Sequence, residues 1–324
     1  AAYAERLSPG DRFVLDGRSL SVRRLDGLTL LADVSPGEPA LPRWTSDRQS
    51  LSAPLALQVA LLRDSAAQIL RAEGSNALRG WLLDAFGLEP DVSSVLEALI
   101  EAQDRLSEIP PPGGLLVEES PTEQGQLYAF HAPLPRSACE ALARAVCARL
   151  GRRFGRDLSL SVADLGWSIH LPASVQIEPE EIPALIDPAN LADDVAEGLD
   201  RGELLARRFR HIASTALMVL RQSDGRRTRV GGMLWVSQRL FPLVKAATPH
   251  HPLLRETRRE VLEDLLDTPS AASWLATNPQ IRFRSLDAPS PFTTAWIEPA
   301  QADALRFERP SDALRRLHAR IVDS

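Results

Sequence analysis

Three arginines crowd the polar segment SDGRRTRVGG: Arg226, Arg227 and Arg229. Guanidinium groups spaced this closely beside glycines suit the phosphates of a nucleic-acid backbone, where each cation releases condensed counterions. A second cluster, Arg207, Arg208, Arg210 and His211, opens a helical stretch whose later part, residues 212–220, is apolar. Arg207 and His211 are four residues apart and share one helix face. Cations at a helix start meet the positive end of the macrodipole, so their placement there hints at an acidic partner. The third constellation is LPRWTSDRQS, where Trp44 is flanked by Arg43 and Arg48. An aromatic ring beside arginines offers a base-stacking face, worth ~1–3 kcal/mol per base.

Each cluster also has a purely structural reading. Arg226, Arg227 and Arg229 fit a solvated loop between two helices. Arg207 and Arg208 fit pairing with Glu203 or with acidic helices nearby, and Trp44 fits a lid over the end of a small barrel. A fourth basic segment, RETRRE from Arg255 to Glu260, mixes its signs. Arg259 and Glu263 stand at i, i+4, which favours a salt-bridged helix face over a nucleic-acid contact.

Signatures of catalysis are missing from the sequence. It contains no GxxxxGK[ST], no GxGxxG after a strand, and no HExxH, GxSxG or CxxC. His250 and His251 precede a proline at a helix start, without a carboxylate at ligand spacing, and read as capping or loop residues. His131 and His170 end predicted strands and read as core or rim positions. Asp193-Asp194 and Glu180-Glu181 read as solvated charges favoured by helix starts. No catalytic residue, no metal and no cofactor is therefore expected in this chain. A hydrolase or glycosylase would need a convergent set of perturbed carboxylates, and none is visible.

The net charge of −6 over 324 residues gives no global basic field, so nucleic-acid affinity must come from a local patch. Lys245 is the sole lysine. The rest of the positive charge is arginine, through a GC-rich genome or through selection for bidentate phosphate contacts. No apolar run approaches the ~20 residues of a membrane span, so a cytoplasmic, membrane-free location is expected. Cys139 and Cys147 lie eight apart in a predicted helix, roughly 12 Å, too far to bridge, and read as reduced, half-buried core residues. The chain opens without Met and without a secretory signal, and reads as a piece of a longer polypeptide or a processed one.

The elements that must position these residues fall into an α+β fold of four modules. Residues 1–50 are expected to form a small N-terminal β-barrel, because Asp16-Gly17 and Asp26-Gly27 punctuate alternating apolar and polar runs. Residues 51–110 form a helical segment that Ser50 or Ser52 could cap, with Leu55, Val59, Leu62, Ala66 and Leu70 at helical spacing. Residues 111–175 form an α+β layer, with strands near 115–119, 126–131, 158–162 and 166–171 and a helix over 136–153. Residues 176–324 form a mainly helical module with caps at Asp187 and Asp267. It holds an extended interval at 280–286, a Pro-Ser-Pro-Phe segment ending at Phe292 and a last helix over 311–322.

Taken in order, these segments resemble the C-terminal, DEAD/DEAH-associated region of Lhr-type (large helicase-related) superfamily 2 helicases. LSPGDRFVLDGRSLSVRRLDG followed by LPRW resembles the β-barrel after the winged helix. LYAFHAPLPRSACEALARAVCARLGRRFG followed by DLGWSIHLP resembles the family's α+β segment. FRHIASTALMVLR, HPLLRETRREVLED and PSPF complete the series, which covers essentially the whole chain.

The resemblance implies a non-catalytic, single-stranded-DNA-binding accessory domain of an ATP-dependent helicase. Such helicases move 3′ to 5′ and unwind duplexes, RNA–DNA hybrids included. It further implies RecA-like motor domains, with ATP and Mg, in the same or a separate chain. A family Trp stacks on a base of the tracking strand, and Trp44 matches that position. After the basic loop the family tends to continue with Arg and Gln, whereas this chain reads Val230-Gly-Gly-Met-Leu-Trp235. The alternative function is a protein-interaction scaffold, in which the acidic balance and Pro-rich loops dock helicase or DNA-repair partners.

Overall fold

The computed structural model describes residues 9–15, 18–26, 29–35, 50–122, 125–219, 222–223, 226–227, 239–294, 296 and 303–305. Two compact units are distinguished: residues 1–49 with 206–258, and residues 50–205 with 259–324. The first unit begins with β1 (Arg12–Leu15), β2 (Arg18–Asp26) and β3 (Thr29–Val34), an antiparallel meander. Leu15 pairs with Arg18 across Asp16-Gly17, the two-residue connection that Asp-Gly favours. At the second turn Asp26 itself pairs with Thr29, so the connection is Gly27-Leu28, one residue later than the Asp-Gly signal suggests. A register shift between Val22 and Arg24 marks a bulge, which increases local twist. The barrel expectation is corrected to this extent: among the described residues the sheet is open and three-stranded, and three strands are too few to close.

The second unit begins with α1 (Ala53–Glu73), α2 (Ser75–Phe86) and α3 (Pro90–Leu106). The Ser52 hydroxyl accepts the Leu55 N–H at 3.4 Å and caps α1, with a proline in the first turn. The expected apolar stripe on α1 is buried only in part: Ala66 is buried and Leu70 packs on the core, but the first half of the helix turns a different face inward. Ala56, Ala60, Ala66 and Ala67 are buried, while Leu55 and Leu62 are exposed. Small residues let a neighbouring helix approach closely, and larger side chains from elsewhere fill the space: Leu78, Leu82, Ile100, Ile109 and Phe292.

Next come β4 (Gly114–Thr122), β5 (Gly125–His131), α4 (Arg136–Phe154), β6 (Leu158–Ala163) and β7 (Gly166–Leu171), then α5 (Ile182–Leu185) and α6 (Leu191–Arg201). Helix α7 (Leu204–Thr215) leads into the helical part of the first unit, with β8 (Gln222–Ser223), β9 (Arg226–Arg227), α8 (Phe241–Ala247) and α9 (Pro252–Arg259). A π-helical turn, Glu260–Leu265, then returns to the second unit, with α10 (Thr268–Ala276), β10 (Gln280–Ser285), α11 (Pro291–Thr294) and β11 (Asp303–Leu305). Asp267 caps α10 as expected, its carboxylate accepting the Ser270 N–H at 3.0 Å. The expected helix over 311–322 lies outside the described residues.

Strands of the second unit form one six-stranded sheet in the order β10-β4-β5-β7-β6-β11. β10 runs parallel to β4, and the other pairings are antiparallel. Both edge strands thus come from the C-terminal stretch. Helix α4 packs on β6 and β7, and the rings of Phe130 and Trp167, paired across β5 and β7, stack at 5.0 Å. It is buried nearly all round, and Cys139 and Cys147 are free thiols wholly inside it rather than half-buried.

Helix α6 crosses α4 at close range. A Cβ on Gly198 would fall 2.4 Å from the Arg144 carbonyl oxygen, so only glycine permits the approach. Asp194, expected to be solvated, is 5% exposed and holds the same helix pair. Its carboxylate accepts from Arg149 Nε at 2.7 Å and from Arg152 Nη2 at 2.6 Å.

Candidate nucleic-acid interface

Helix α7 sorts its residues by face. Leu205, Phe209, Ile212 and Ala213 are buried at spacings of four, three and one, while Arg207 and His211 are exposed at i, i+4 and Arg208 is half-buried. Within the first unit, Phe209 and Ala213 pack with Leu254 and with partly buried Leu240, Phe241 and Val244. The rings of Phe209 and Phe241 lie 5.4 Å apart. This apolar anchoring fixes which way the basic face of α7 turns. Arg207, Arg208 and His211 each make an interaction within the protein, so the exposed face is a partly engaged one.

Arg226 and Arg227, read from sequence as a loop, instead form a strand. β8 pairs with β9 antiparallel, Ser223 opposite Arg226 and Gln222 opposite Arg227. Two residues connect the pair, Asp224-Gly225, the dipeptide that favours tight hairpins. The same signal that locates the first hairpin was therefore present here. Trp44, Arg43, Arg48 and Arg229 lie outside the described residues. The RETRRE segment behaves as its mixed charge suggests: Arg259 reaches Glu263 at 3.3 Å and Asp264 at 3.5 Å. His251 is a cap, its Nδ1 accepting the Leu253 N–H at 3.2 Å.

Many other arginines are structural. Arg149 and Arg152 are held by Asp194, Arg153 by Glu181 and Arg71 by Asp104. Arg79 meets Glu97 at 2.7 Å. Arg282 and Arg284 of β10 both converge on Glu108, at 2.9 and 2.8 Å. A guanidinium held in this way offers little to a phosphate, so arginine content by itself says little about the binding surface.

One constellation that sequence reading missed has the residue types of a catalytic site. Glu118 of β4 accepts four hydrogen bonds: from Gln103 at 3.1 Å, His131 at 3.0 Å, Ser290 at 2.6 Å and Thr293 at 2.8 Å. The Phe292 N–H donates to Gln103 Oε1 at 3.0 Å, and the His131 ring lies against Trp296. With Nε2–H taken as the His131 donor, the bond to the carboxylate is satisfied.

The chemistry of this cluster is that of a lock. Ser290 donates to the carboxylate rather than to the histidine, so no base is placed to activate its hydroxyl. Burial alone would push the Glu118 carboxyl up, but the hydrogen bond and charge of His131, with Ser290, outweigh it and hold the group at about 2. A carboxyl that low stays ionised at neutral pH and serves as neither general acid nor effective base. Glu118, His131, Ser290 and Thr293 are each at most 2% exposed, closed to substrate. His170, at the far end of β7, is half-buried, and burial lowers its pKa. Among the described residues no group of three His, Cys, Asp or Glu side chains could hold a metal ion, and no helix is long and apolar enough to cross a membrane.

Comparison with known proteins agrees with this geometry. Residues 109–293 match the DEAD/H associated family. Over 99% of its length the chain is similar to the ATP-dependent helicase Lhr-Core protein 2 of Thermococcus barophilus, at 31% identity. It is similar over the same share to the ATP-dependent helicase Lhr-Core of Methanothermobacter thermautotrophicus, at 30%. The chain spans 37% and 38% of the length of these two relatives. A solved structure of the Mycobacterium smegmatis helicase Lhr bound to ssDNA and AMP-PNP is similar over 82% of this chain and 34% of that one, with a TM-score of 0.66 and 25% identity. By the match across its sheet and flanking helices, the chain belongs to the DEAD/H associated family, in the form found in Lhr-type helicases.

Proposed function

We propose that this chain is a single-stranded-DNA-binding accessory region of an Lhr-type, ATP-dependent 3′–5′ DNA helicase, without a catalytic group of its own. The observation that carries the proposal is the likeness, over 82% of the chain, to an Lhr helicase structure that holds ssDNA and AMP-PNP. On this reading ATP and Mg act in RecA-like motor domains outside the chain. The chain contributes a wet, basic surface and a stacking ring, on single-stranded DNA or at an RNA–DNA hybrid.

Trp44 is the proposed stacking post, with Arg43 and Arg48 beside it. Arg207 and Arg208 on α7, Arg226 and Arg227 on the hairpin, and Arg229 beyond it are the proposed phosphate contacts. Support for α7 comes from the exposure of Arg207 beside a firmly buried apolar face. The test is fluorescence anisotropy of a labelled oligonucleotide with the wild-type chain and Trp44→Ala, at two salt concentrations. A loss of ~1–3 kcal/mol is expected for the variant. Equal affinities would remove Trp44 from the site.

One observation favours a second function, a scaffold that docks helicase or repair proteins. Val92, Val95, Leu99 and Leu106 stand on one face of α3 and are 47%, 67%, 38% and 56% exposed. Failure to bind DNA, together with a partner held through this stripe, would favour the scaffold.

A further inference from the structure

Helix α3 is turned inside out for a surface helix. Its inward face is largely polar, and the polar groups there have partners. Ser93 Oγ donates to the Glu89 carbonyl at 3.2 Å, Glu97 accepts from Arg79 Nε at 2.7 Å, and Gln103 donates to Glu118 at 3.1 Å. Buried Ile100 and partly buried Leu96 carry this face into the helical core. The outward face is apolar. Val92, Val95, Leu99, Ala102 and Leu106 succeed one another at alternating spacings of three and four residues. That is the a/d seam of a coiled coil. Asp91, Ala98 and Arg105, all exposed, flank the seam one residue before each a position, which is the g position of the heptad.

The charges beside this seam complement a second copy of it. Asp91 stands in the first turn of α3 and Arg105 in the last. Other charges of the helix are engaged, Asp104 by Arg71 and Glu101 by Ser75. Among the described residues the side chains of Asp91 and Arg105 make no hydrogen bond or ion pair. Two α3 helices laid antiparallel bring g beside g: Asp91 beside Arg105 of the second copy, Arg105 beside its Asp91, and Ala98 beside its Ala98 near the two-fold axis. In that register Val92 meets Ala102 and Val95 meets Leu99 of the second copy, and no polar residue enters the seam. The opposed macrodipoles favour the same direction. A parallel pairing would instead set g against the e positions Leu96 and Gln103, which are turned into the protein.

We infer that the outward face of α3 is a self-association surface, through which two copies of this chain pair as antiparallel helices, with an Asp91–Arg105 ion pair at each end of the seam. The pairing is independent of DNA binding, and it gives the stripe to a second copy rather than to the helicase or repair proteins of the scaffold. Helix α3 is about 25 Å long. A two-helix contact of that length lies at or below the ~1,200 Å² end of stable interfaces, so the dimer is weak and dissociates on dilution.

Sedimentation equilibrium of the full chain over a wide range of concentration reads the association. The wild-type mass is expected to rise toward that of two copies as concentration increases. Leu99→Glu should stay monomeric, because it puts a charge into both central layers of the seam. Asp91→Arg sets two arginines together at each end of the pairing, and Arg105→Asp two aspartates, so each should weaken the dimer by about tenfold. An equal mixture of these two variants restores both ion pairs and should regain association close to wild type. The substitutions fall on exposed positions, and circular dichroism should show all three variants folded.

A second arm reads the two-fold contact itself. Cys139 and Cys147 are buried, so a cysteine introduced on α3 is the accessible thiol. Ala98→Cys should give a covalent dimer with a short bismaleimide, whereas Ser94→Cys, exposed on the same helix but off the seam, should not. A wild-type chain that is monomeric at every concentration would overturn the inference, as would a mixture of the two charge variants that associates no better than either alone. A monomeric chain that holds a helicase or repair protein through Leu99 would also overturn it, and would return the stripe to the scaffold.

Discussion

Replacing Glu118 by alanine removes one acceptor from four donors, Gln103, His131, Ser290 and Thr293. Each buried donor left unpaired costs about 1–3 kcal/mol, but the four share one site and do not add. Breaking a buried, hydrogen-bonded charge pair costs about 3–5 kcal/mol in general, and that is the loss expected here at pH 7.

Linkage gives an independent figure. The carboxyl falls from 4.5 to about 2 on folding, which corresponds to about 3 kcal/mol of stability. The folded-state pKa is depressed, so this contribution is complete above the unfolded value and is lost as pH falls from about 5 to about 2. The assay is urea unfolding of wild type, Glu118→Ala and Glu118→Gln, followed by the near-ultraviolet signal of buried Trp167 over that pH range. Wild type should lose about 3 kcal/mol more than Glu118→Ala on acidification, because the variant has no such group to titrate. A cost at pH 7 under about 1 kcal/mol, or parallel acid profiles for the two proteins, would refute the lock.

Other substitutions probe the frame and the surface. Asp194→Ala leaves the largely buried Arg149 without its carboxylate, while Arg152 keeps Glu197, and thermal unfolding should report a loss of about 3–5 kcal/mol. Gly198→Ala drives a methyl into the Arg144 carbonyl. Overpacking of this kind costs about 1–3 kcal/mol or more, readable in the same melt. The double variant Arg226→Gln with Arg227→Gln removes two proposed phosphate contacts. Its salt slope on single-stranded DNA should fall by about 1.4 without loss of fold.

What sequence reading captured was local, and what it missed was remote along the chain. Asp16-Gly17 gives the first hairpin and Asp267 caps its helix, because turns and caps involve residues within a few positions of one another. The edges of the sheet were hidden. β10 and β11 return from residues 280–305 to flank strands formed near 114–171, and local periodicity carries no record of that return. The burial of Asp194 was equally unreadable, since a helix-start aspartate looks the same whether its neighbour is water or two arginines of another helix. Apolar spacing was half right on α1: Ala66 and Leu70 lie on the packed face, while Leu55 and Leu62 are left outside and alanines fill the close-packed positions.

The Glu118 lock joins positions as far apart as 118 and 293, and no spacing rule finds it. Its visible trace in the sequence is the Pro-Ser-Pro-Phe segment that ends at Phe292. In the structure Ser290 of that segment caps the carboxylate, and Phe292 fills the helical core. At the candidate interface, Arg226 and Arg227 were placed in a loop, although Asp224-Gly225 signals the hairpin whose second strand they form.

The salt dependence of single-stranded-DNA binding by the wild-type chain tests the central claim most directly. With several arginines on phosphates, log K should fall linearly with log salt, each contact adding about 0.7 to the slope. Binding that is absent at low salt, or an affinity indifferent to salt, would contradict the account.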